Sequence, residues 1–208
     1  MSGPVLVVLA AGASSRLGTP KALVRLGDEP NRTPLACLLA AGSALGNAAP
    51  VVVAGTDHDV IAMALAEVPG AASARLLLNP AWRAGRTGGL CLARDALPGE
   101  DLCVAPVDVP LVPRAVFSAL ARAWSEAGEP ARGWLAPFVV QDGRRRHGHP
   151  VVIGRDLLAE LDAREPDRPL RDLRAGADPL LGVEVASRAI LDDLDRPEDL
   201  ARLRPSDS

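Results

Sequence analysis

The chain has 208 residues, 48% of them apolar but only 2% aromatic, with three Trp, two Phe and no Tyr. That length suits one domain whose core is built from Ala, Leu and Val, and so few aromatics exclude a stacking platform for single-stranded nucleic acid. A net charge of −3, from 23 basic and 26 acidic residues, excludes a general field for polyanions, so any anion site must be local.

Residues 5–10 are a continuous aliphatic run, the pattern of a strand buried on both faces. A loop rich in glycine and serine follows. Thr33-Pro34 then reads as an N-cap with proline at the first helical position, opening a helix to about residue 45. The next strand spans 50–54, the next helix 57–68, and a third strand at 75–78 ends at Asn79-Pro80. Residues 88–97 read as a helix and 101–105 as a fourth strand ending just before Asp108, and Pro113 opens a helix to about 127. This alternation predicts an α/β fold, a parallel sheet with helices on both faces. Ligands of such sheets gather at the carboxyl ends of the strands. Segments 11–21, 79–90 and 106–110 each follow a strand there.

The pattern changes after about residue 130. Residues 133–140 and 148–153 flank 141–147, where Asp142-Gly143 is a turn signal, so a β-hairpin insertion is expected with Arg144-Arg-Arg146 at its solvated tip. Two short helices are expected at 154–163 and 168–175, a short strand near 189–191, and a last helix ending near 203. One domain over 1–204 and a disordered tail at 205–208 follow from this. Cys37, Cys91 and Cys103 lack CxxC spacing and have apolar neighbours, so they read as buried hydrophobes in a reducing compartment, not as a zinc or disulfide framework. The apolar start at 4–11 lacks the basic flank of a signal peptide, and no apolar run approaches the ~20 residues of a membrane span. A cytoplasmic protein with neither membrane nor nucleic-acid partners is expected.

One residue stands out chemically: Lys21 is the single lysine among the 23 basic residues. An ammonium is a compact point charge that can follow phosphate oxygens, which the planar guanidinium does less well. It closes the glycine-containing loop after the first strand, where consecutive backbone N–H groups can form an anion-binding nest. Gly12 permits close approach, Ser14 and Ser15 add hydroxyl donors, and Arg16 brings a second charge. Neither GxGxxG nor GK[ST] is present, which argues against dinucleotide and P-loop readings.

The segment Leu9-Ala-Ala-Gly-Ala-Ser-Ser-Arg-Leu-Gly-Thr-Pro-Lys21 resembles the signature loop of the MobA-like nucleotidyltransferases, closest to the branch typified by molybdenum cofactor cytidylyltransferase. Further matches are ordered along nearly the whole chain: Asn79-Pro-Ala-Trp-Arg-Ala-Gly85, Val107-Asp-Val-Pro-Leu-Val112, Gly148-His-Pro150 and Asp193-Leu-Asp-Arg-Pro-Glu-Asp-Leu200. The resemblance implies a Rossmann-like, three-layer α/β/α nucleotidyltransferase fold of the nucleotide-diphospho-sugar transferase type. It also implies transfer of a nucleoside monophosphate with release of pyrophosphate. On that basis Leu9, Ala10, Ala11, Gly12, Ser14, Ser15, Arg16, Lys21, Asn79, Gly85 and Thr87 are expected to bind nucleotide, and Arg16, Lys21 and Asp108 to act in catalysis. Asp108 and Asp193 are expected to hold Mg²⁺, and His149 to meet the acceptor.

Each has a plainer reading: Asp108 as a cap, Asp193 as a solvated loop residue, His149 as a hydrogen-bonded structural histidine, and 85–89 as an ordinary strand-to-helix turn. Asp195 is expected to fix the Pro197 turn, and Trp82 and Trp134 to pack. The implied partners are an NTP, CTP favoured because Ala11 stands before Gly12, and a phosphorylated acceptor such as molybdopterin. A molybdoenzyme or its chaperone is a further implied partner. A sugar- or polyol-phosphate acceptor, or a silent nucleotide-binding accessory role, are the alternatives. Two departures bear on base and acceptor: Val107-Asp-Val-Pro110 where the cytidylyl branch carries Gly-Asp-Gln-Pro, and Arg86-Thr-Gly-Gly89 where it carries a serine run.

Overall fold

The first aliphatic run forms β1 (Val5–Ala10), whose neighbours are β2 (Val51–Ala54) on one side and β4 (Leu102–Pro106) on the other, both parallel to it. The structure is a computed structural model, and residues 3–12, 18–29, 31–46, 48–69, 71–163 and 169–203 are described, side chains 162 and 163 excepted. Ser14, Ser15, Arg16 and the tail at 205–208 therefore lie outside the described residues. The described strands form one eight-stranded sheet in the order β3-β2-β1-β4-β7-β5-β6, with β8 on β5; β3 is Arg75–Leu78, β5 Trp134–Gln141, β6 Arg144–His147, β7 Val151–Ile153 and β8 Leu180–Glu184.

Alternation across β1 divides the core, because successive side chains leave opposite faces of a strand. Leu6, Val8 and Ala10 pack with Leu35, Leu38, Ile61, Phe117 and Leu120, under α1 (Pro34–Gly42), α2 (His58–Glu67) and α4 (Arg114–Glu126). Val5 and Val7 pack with Leu90, Trp134 and Leu157, under α3 (Arg86–Ala96) and α5 (Arg155–Leu158). The Thr33 hydroxyl accepts from the Ala36 N–H at 3.2 Å and Pro34 follows it, so α1 starts as the sequence predicts. A 3₁₀ turn, Ser43–Leu45, takes the place of the helix's expected last residues. Among the described residues no helix is long and apolar enough to cross a membrane.

At the amino end of β4, Asp101 is 8% exposed and joins three elements. It accepts from Trp124 Nε1 on α4 at 2.9 Å, and from the backbone N–H and guanidinium of Arg155 on α5 at 2.9 and 3.1 Å. Both carboxylate oxygens of Asp101 and the Trp124 indole N–H are thereby paired, which burial demands.

In the second half the expected hairpin insertion joins a mostly parallel sheet, with β7 running antiparallel to both β4 and β5, while several local expectations are corrected. Arg144-Arg-Arg146 is not a hairpin tip but the body of β6, paired with β5 from Phe138 to Gln141; the turn is Asp142-Gly143, with φ of 52° and 71°. Two consecutive positive φ values give the tight turn whose twist matches the flanking strands. The expected strand at 189–191 is a 3₁₀ turn, Arg188–Leu191, because the Ser187 hydroxyl caps it by accepting from the Ala189 N–H at 3.3 Å. The strand in this region is β8, parallel to β5 and half exposed along its length. Segment 170–176, expected as part of a helix, is also 3₁₀. A seven-residue helix, α6 (Pro197–Leu203), follows.

Candidate active site

The carboxyl ends of β1, β3 and β4 open on a cleft of about 590 Å³. Leu9, Ala11 and Gly12 enter it from β1 and the following loop, Asn79 from the end of β3, and Pro106, Val107 and Asp108 from the end of β4. Asn79 is 3% exposed and accepts from the Ala81 N–H at 3.1 Å, which turns the chain out of the strand. Gly85, with φ of 128°, carries it into α3, whose first turn has no side-chain cap and opens on the cleft. Helix N-termini of this kind offer free N–H groups to anions. Ala10 is buried in the core and Thr87 is 3% exposed within α3; neither lines the cleft, and Gly89 contributes its surface in place of Thr87.

Two ion pairs cross the site. Lys21 Nζ lies 2.8 Å from Asp195 Oδ1, and Arg86 Nη2 lies 2.6 Å from Asp108 Oδ2. Asp195 is brought there by its neighbour. Leu194 is fully buried with Leu26 and Leu203, and its N–H donates to the Asp108 carbonyl at 2.7 Å. Burying Leu194 leaves the flanking acids facing the site: Asp193 lines a smaller adjoining cavity with Asp108, Asp195, Arg86, Arg146 and His149. The Pro197 turn is held by Asp199, not by Asp195 as expected: the Asp199 carboxylate accepts from the N–H groups of Asp195 and Arg196, both at 2.9 Å. Asp195's own carboxylate is committed to Lys21.

Electrostatics follow from this crowding. Burial, then repulsion from Asp108 and Asp195, raises the Asp193 carboxyl above its ordinary value, with Arg86 and Lys21 opposing. The hydrogen bond from Lys21 holds Asp195 below its own. Burial holds the His149 imidazole below its ordinary value, Asp108 opposing and Arg86 adding to the effect. Cys103 is buried and its thiol is pushed up by desolvation, while Cys37 and Cys91 are only half buried. Among the described residues no group of three or more His, Cys, Asp and Glu side chains is arranged as a metal cage. Asp108 and Asp193 nevertheless line one cavity, and two carboxylates suffice for a hard cation whose other ligands are water and phosphate.

The structure thus brings Lys21, Asp108 and Asp195 to one cleft, and Asp108, Asp193 and His149 to the next. Val107 and Val109, the departures from the cytidylyl pattern, are buried in the core under α4. Among the lining residues given no binding role by the sequence reading are Asp195, Arg86 and, as a wall of the cleft, Trp82, over which the Arg83 guanidinium lies at 4.4 Å. Arg86 carried a signal, since it stands where a serine run was expected.

The family profile described as the MobA-like NTP transferase domain matches residues 6–181. The fold superposes on Rv0371c from Mycobacterium tuberculosis H37Rv with a TM-score of 0.74 and 22% identity, covering 98% of this chain and 99% of that one. A nucleotidyl transferase from Methanothermobacter gives 0.73 at 25% identity, with 98% and 97% covered. A CMP:2-keto-3-deoxy-manno-octonic acid synthetase solved with CTP gives 0.72 at 17%, with 98% and 97% covered. No match is found among curated protein sequences.

Proposed function

Since this chain belongs to the MobA-like NTP transferase domain family, and is thereby a nucleotidyltransferase in broad class, we propose that it moves CMP from CTP to a phosphorylated small molecule, molybdopterin, with release of pyrophosphate. One observation carries the reading. A cation from the first loop, a helix N-terminus and acids 85 residues apart, Asp108 and Asp193, meet around two adjoining cavities at the strand ends. CTP is favoured by Ala11 before Gly12, and one structural relative is described in complex with CTP.

In the reaction an acceptor phosphate oxygen forms a bond to the α-phosphorus while the bond to the β-phosphate bridging oxygen breaks, and pyrophosphate carries that electron pair away. Both partners are anionic, so the protein's work is charge neutralisation and alignment. Lys21 and the uncapped start of α3 receive the triphosphate, Lys21 exchanging the Asp195 carboxylate for phosphate oxygens. Arg86 makes a similar exchange from Asp108, and lies where the two cavities adjoin. Asp108 and Asp193 would hold a divalent cation, Mg²⁺ in this reading, which supplies further neutralisation of the phosphates when bound; Rv0371c is also described in complex with manganese. Asn79, Gly85 and Gly89 border the space left for ribose and base. The role of the loop from Ser14 to Arg16 in wrapping phosphate is part of the same proposal.

A thermal-shift panel of the four NTPs, with and without Mg²⁺ or Mn²⁺, followed by pyrophosphate release with candidate acceptors, tests this. Ligand at ~100 times its Kd stabilises by about 2.7 kcal/mol. CTP with the metal is expected to give the largest shift. A GTP shift without a CTP shift overturns the base assignment, and no shift with any NTP overturns the function.

A further inference from the structure

Three cavities meet at the carboxyl ends of the strands: the cleft of about 590 Å³, a second of about 560 Å³ bordered by Val104 and Arg174, and the smaller one, about 380 Å³, that holds Asp193. Alone among the described residues, Arg86 lines all three. It is the first residue of α3, directly after Gly85, and its guanidinium reaches Asp108 with Nη2 2.6 Å from Oδ2. The most centrally placed cation of the site thus sits on an acid that a divalent metal would need.

Charge and exposure set what this pair does. A guanidinium only donates hydrogen bonds and keeps its proton, so on Asp108 it neutralises the carboxylate and covers one of its oxygens. The carboxylate then offers a divalent cation a neutralised ligand with a like charge beside it, which weakens the attraction. The two ion pairs of the site are built in opposite senses: Asp195 is the exposed member of its pair with Lys21, whereas Arg86 is the exposed member of its pair with Asp108. Asp108 is therefore the fixed partner, and Arg86, on its long stem, is the one able to move to a stronger anion. A triphosphate in the cleft is such an anion, since Arg86 shares that cleft with Lys21.

We propose that Arg86 is a guard on Asp108: it holds the carboxylate against divalent cations in the nucleotide-free protein and yields it when a triphosphate draws the guanidinium away, so that metal binding at Asp108 waits on nucleotide. The nucleotide and the role of Asp108 as a ligand rest on the function proposed above; the guard rests on the ion pair. Coupling between nucleotide and metal then comes from the chain as well as from the phosphate oxygens, and such coupling is reciprocal. Serine at this position, as the family resemblance led us to expect, supplies no charge to pair with Asp108.

Mn²⁺ binding to the nucleotide-free protein, counted from the free-ion EPR signal, tests the guard. Arg86→Met keeps the stem and removes the charge, and should bind Mn²⁺ about tenfold tighter than the wild type, within the usual range of coupling between sites. Arg86→Lys retains the charge and should stay near the wild-type value. Arg83→Met controls for the loss of any nearby cation, because the Arg83 guanidinium lies over Trp82 in the same cleft; it should leave Mn²⁺ affinity unchanged. In an Asp108→Asn background, Arg86→Met should bring no gain. If Arg86→Met does not fold, Arg86→Gln carries the same comparisons. Calorimetry with CTP in EDTA reads the other half of the exchange: Arg86→Met should weaken CTP by about tenfold, the size of one hydrogen bond to a charged group. Equal Mn²⁺ affinity in the wild type and Arg86→Met, an equal gain in Arg83→Met, a gain that survives Asp108→Asn, or CTP bound equally with and without Arg86 overturns the proposal. If the Mn²⁺ gain appears but no NTP binds either protein, the nucleotidyltransferase reading falls and the hold of Arg86 on Asp108 stands. Pyrophosphate release from CTP without the Mn²⁺ gain keeps that reading and removes the guard.

Discussion

Lys21 shows how much one side chain can be asked to do. Its Nζ is 2.8 Å from Asp195, and its side chain is 16% exposed against 57% for the acid. The ammonium is thus held at the edge of the cleft by a partner that solvent also reaches, a pairing weak enough to exchange for phosphate. Lys21→Arg keeps the charge but widens it into a planar fork that must find room in the same place. Turnover, followed by pyrophosphate release, should fall by about tenfold to a hundredfold, because small misplacements of a positioning group are amplified in rate, while Tm stays within a degree or two. Unchanged turnover removes Lys21 from the machinery. Asp108 is in the converse position: at 13% exposure it is the more buried member of its pair, and Arg86, 64% exposed, is the one able to move.

At the scale of elements, the segment between the last 3₁₀ turn and α6 decides where the acids go. Leu194 packs with Leu26 and Leu203, with Val24, Leu111 and Leu200 around them, in a cluster separate from the two cores that sandwich the sheet. Because that cluster is small, its loosening should be local. Leu194→Ala removes a buried side chain worth about 2–5 kcal/mol, yet it belongs to neither of the two cores that sandwich the sheet. Hydrogen exchange of 192–203 is expected to rise while β1 and β4 stay protected, and kcat/KM should fall by tenfold or more as Asp193 and Asp195 lose their register with Asp108. Full activity with a frayed segment 192–203 shows that these acids take no part.

Over the whole molecule, acidification acts through buried histidine. His149 has its pKa lowered by burial, so the folded chain holds the neutral ring where the unfolded chain takes a proton. The stability this contributes is complete above the ordinary histidine value and is lost as pH falls through the lower folded value. Between pH 7 and 5 the wild type should therefore lose more Tm than His149→Gln, by about 2–4 °C for each kcal/mol involved in a chain of this size. Equal losses in the two proteins show that His149 is not the group responsible; His147, more exposed, is also lowered, by burial and by Arg174 and Arg145. Much of the fold was legible residue by residue, because strand β1, the Thr33-Pro34 cap and the Asp142-Gly143 turn depend on neighbours a few positions away. Strand β8 was not, since a half-exposed edge strand has too weak an alternation to be seen without β5 beside it. The order of motifs along the chain likewise pointed to Asp108 at the end of β4, where it lines the cleft. Sequence alone, then, determined the elements and the chemical types at the strand ends, where local geometry and composition suffice. Only tertiary structure decided that Leu194 is buried so that Asp195 meets Lys21, and that Arg86 sits on Asp108. Each of these is a relation between distant segments, set by which apolar side chains exclude water together, and no window of sequence contains both halves of it.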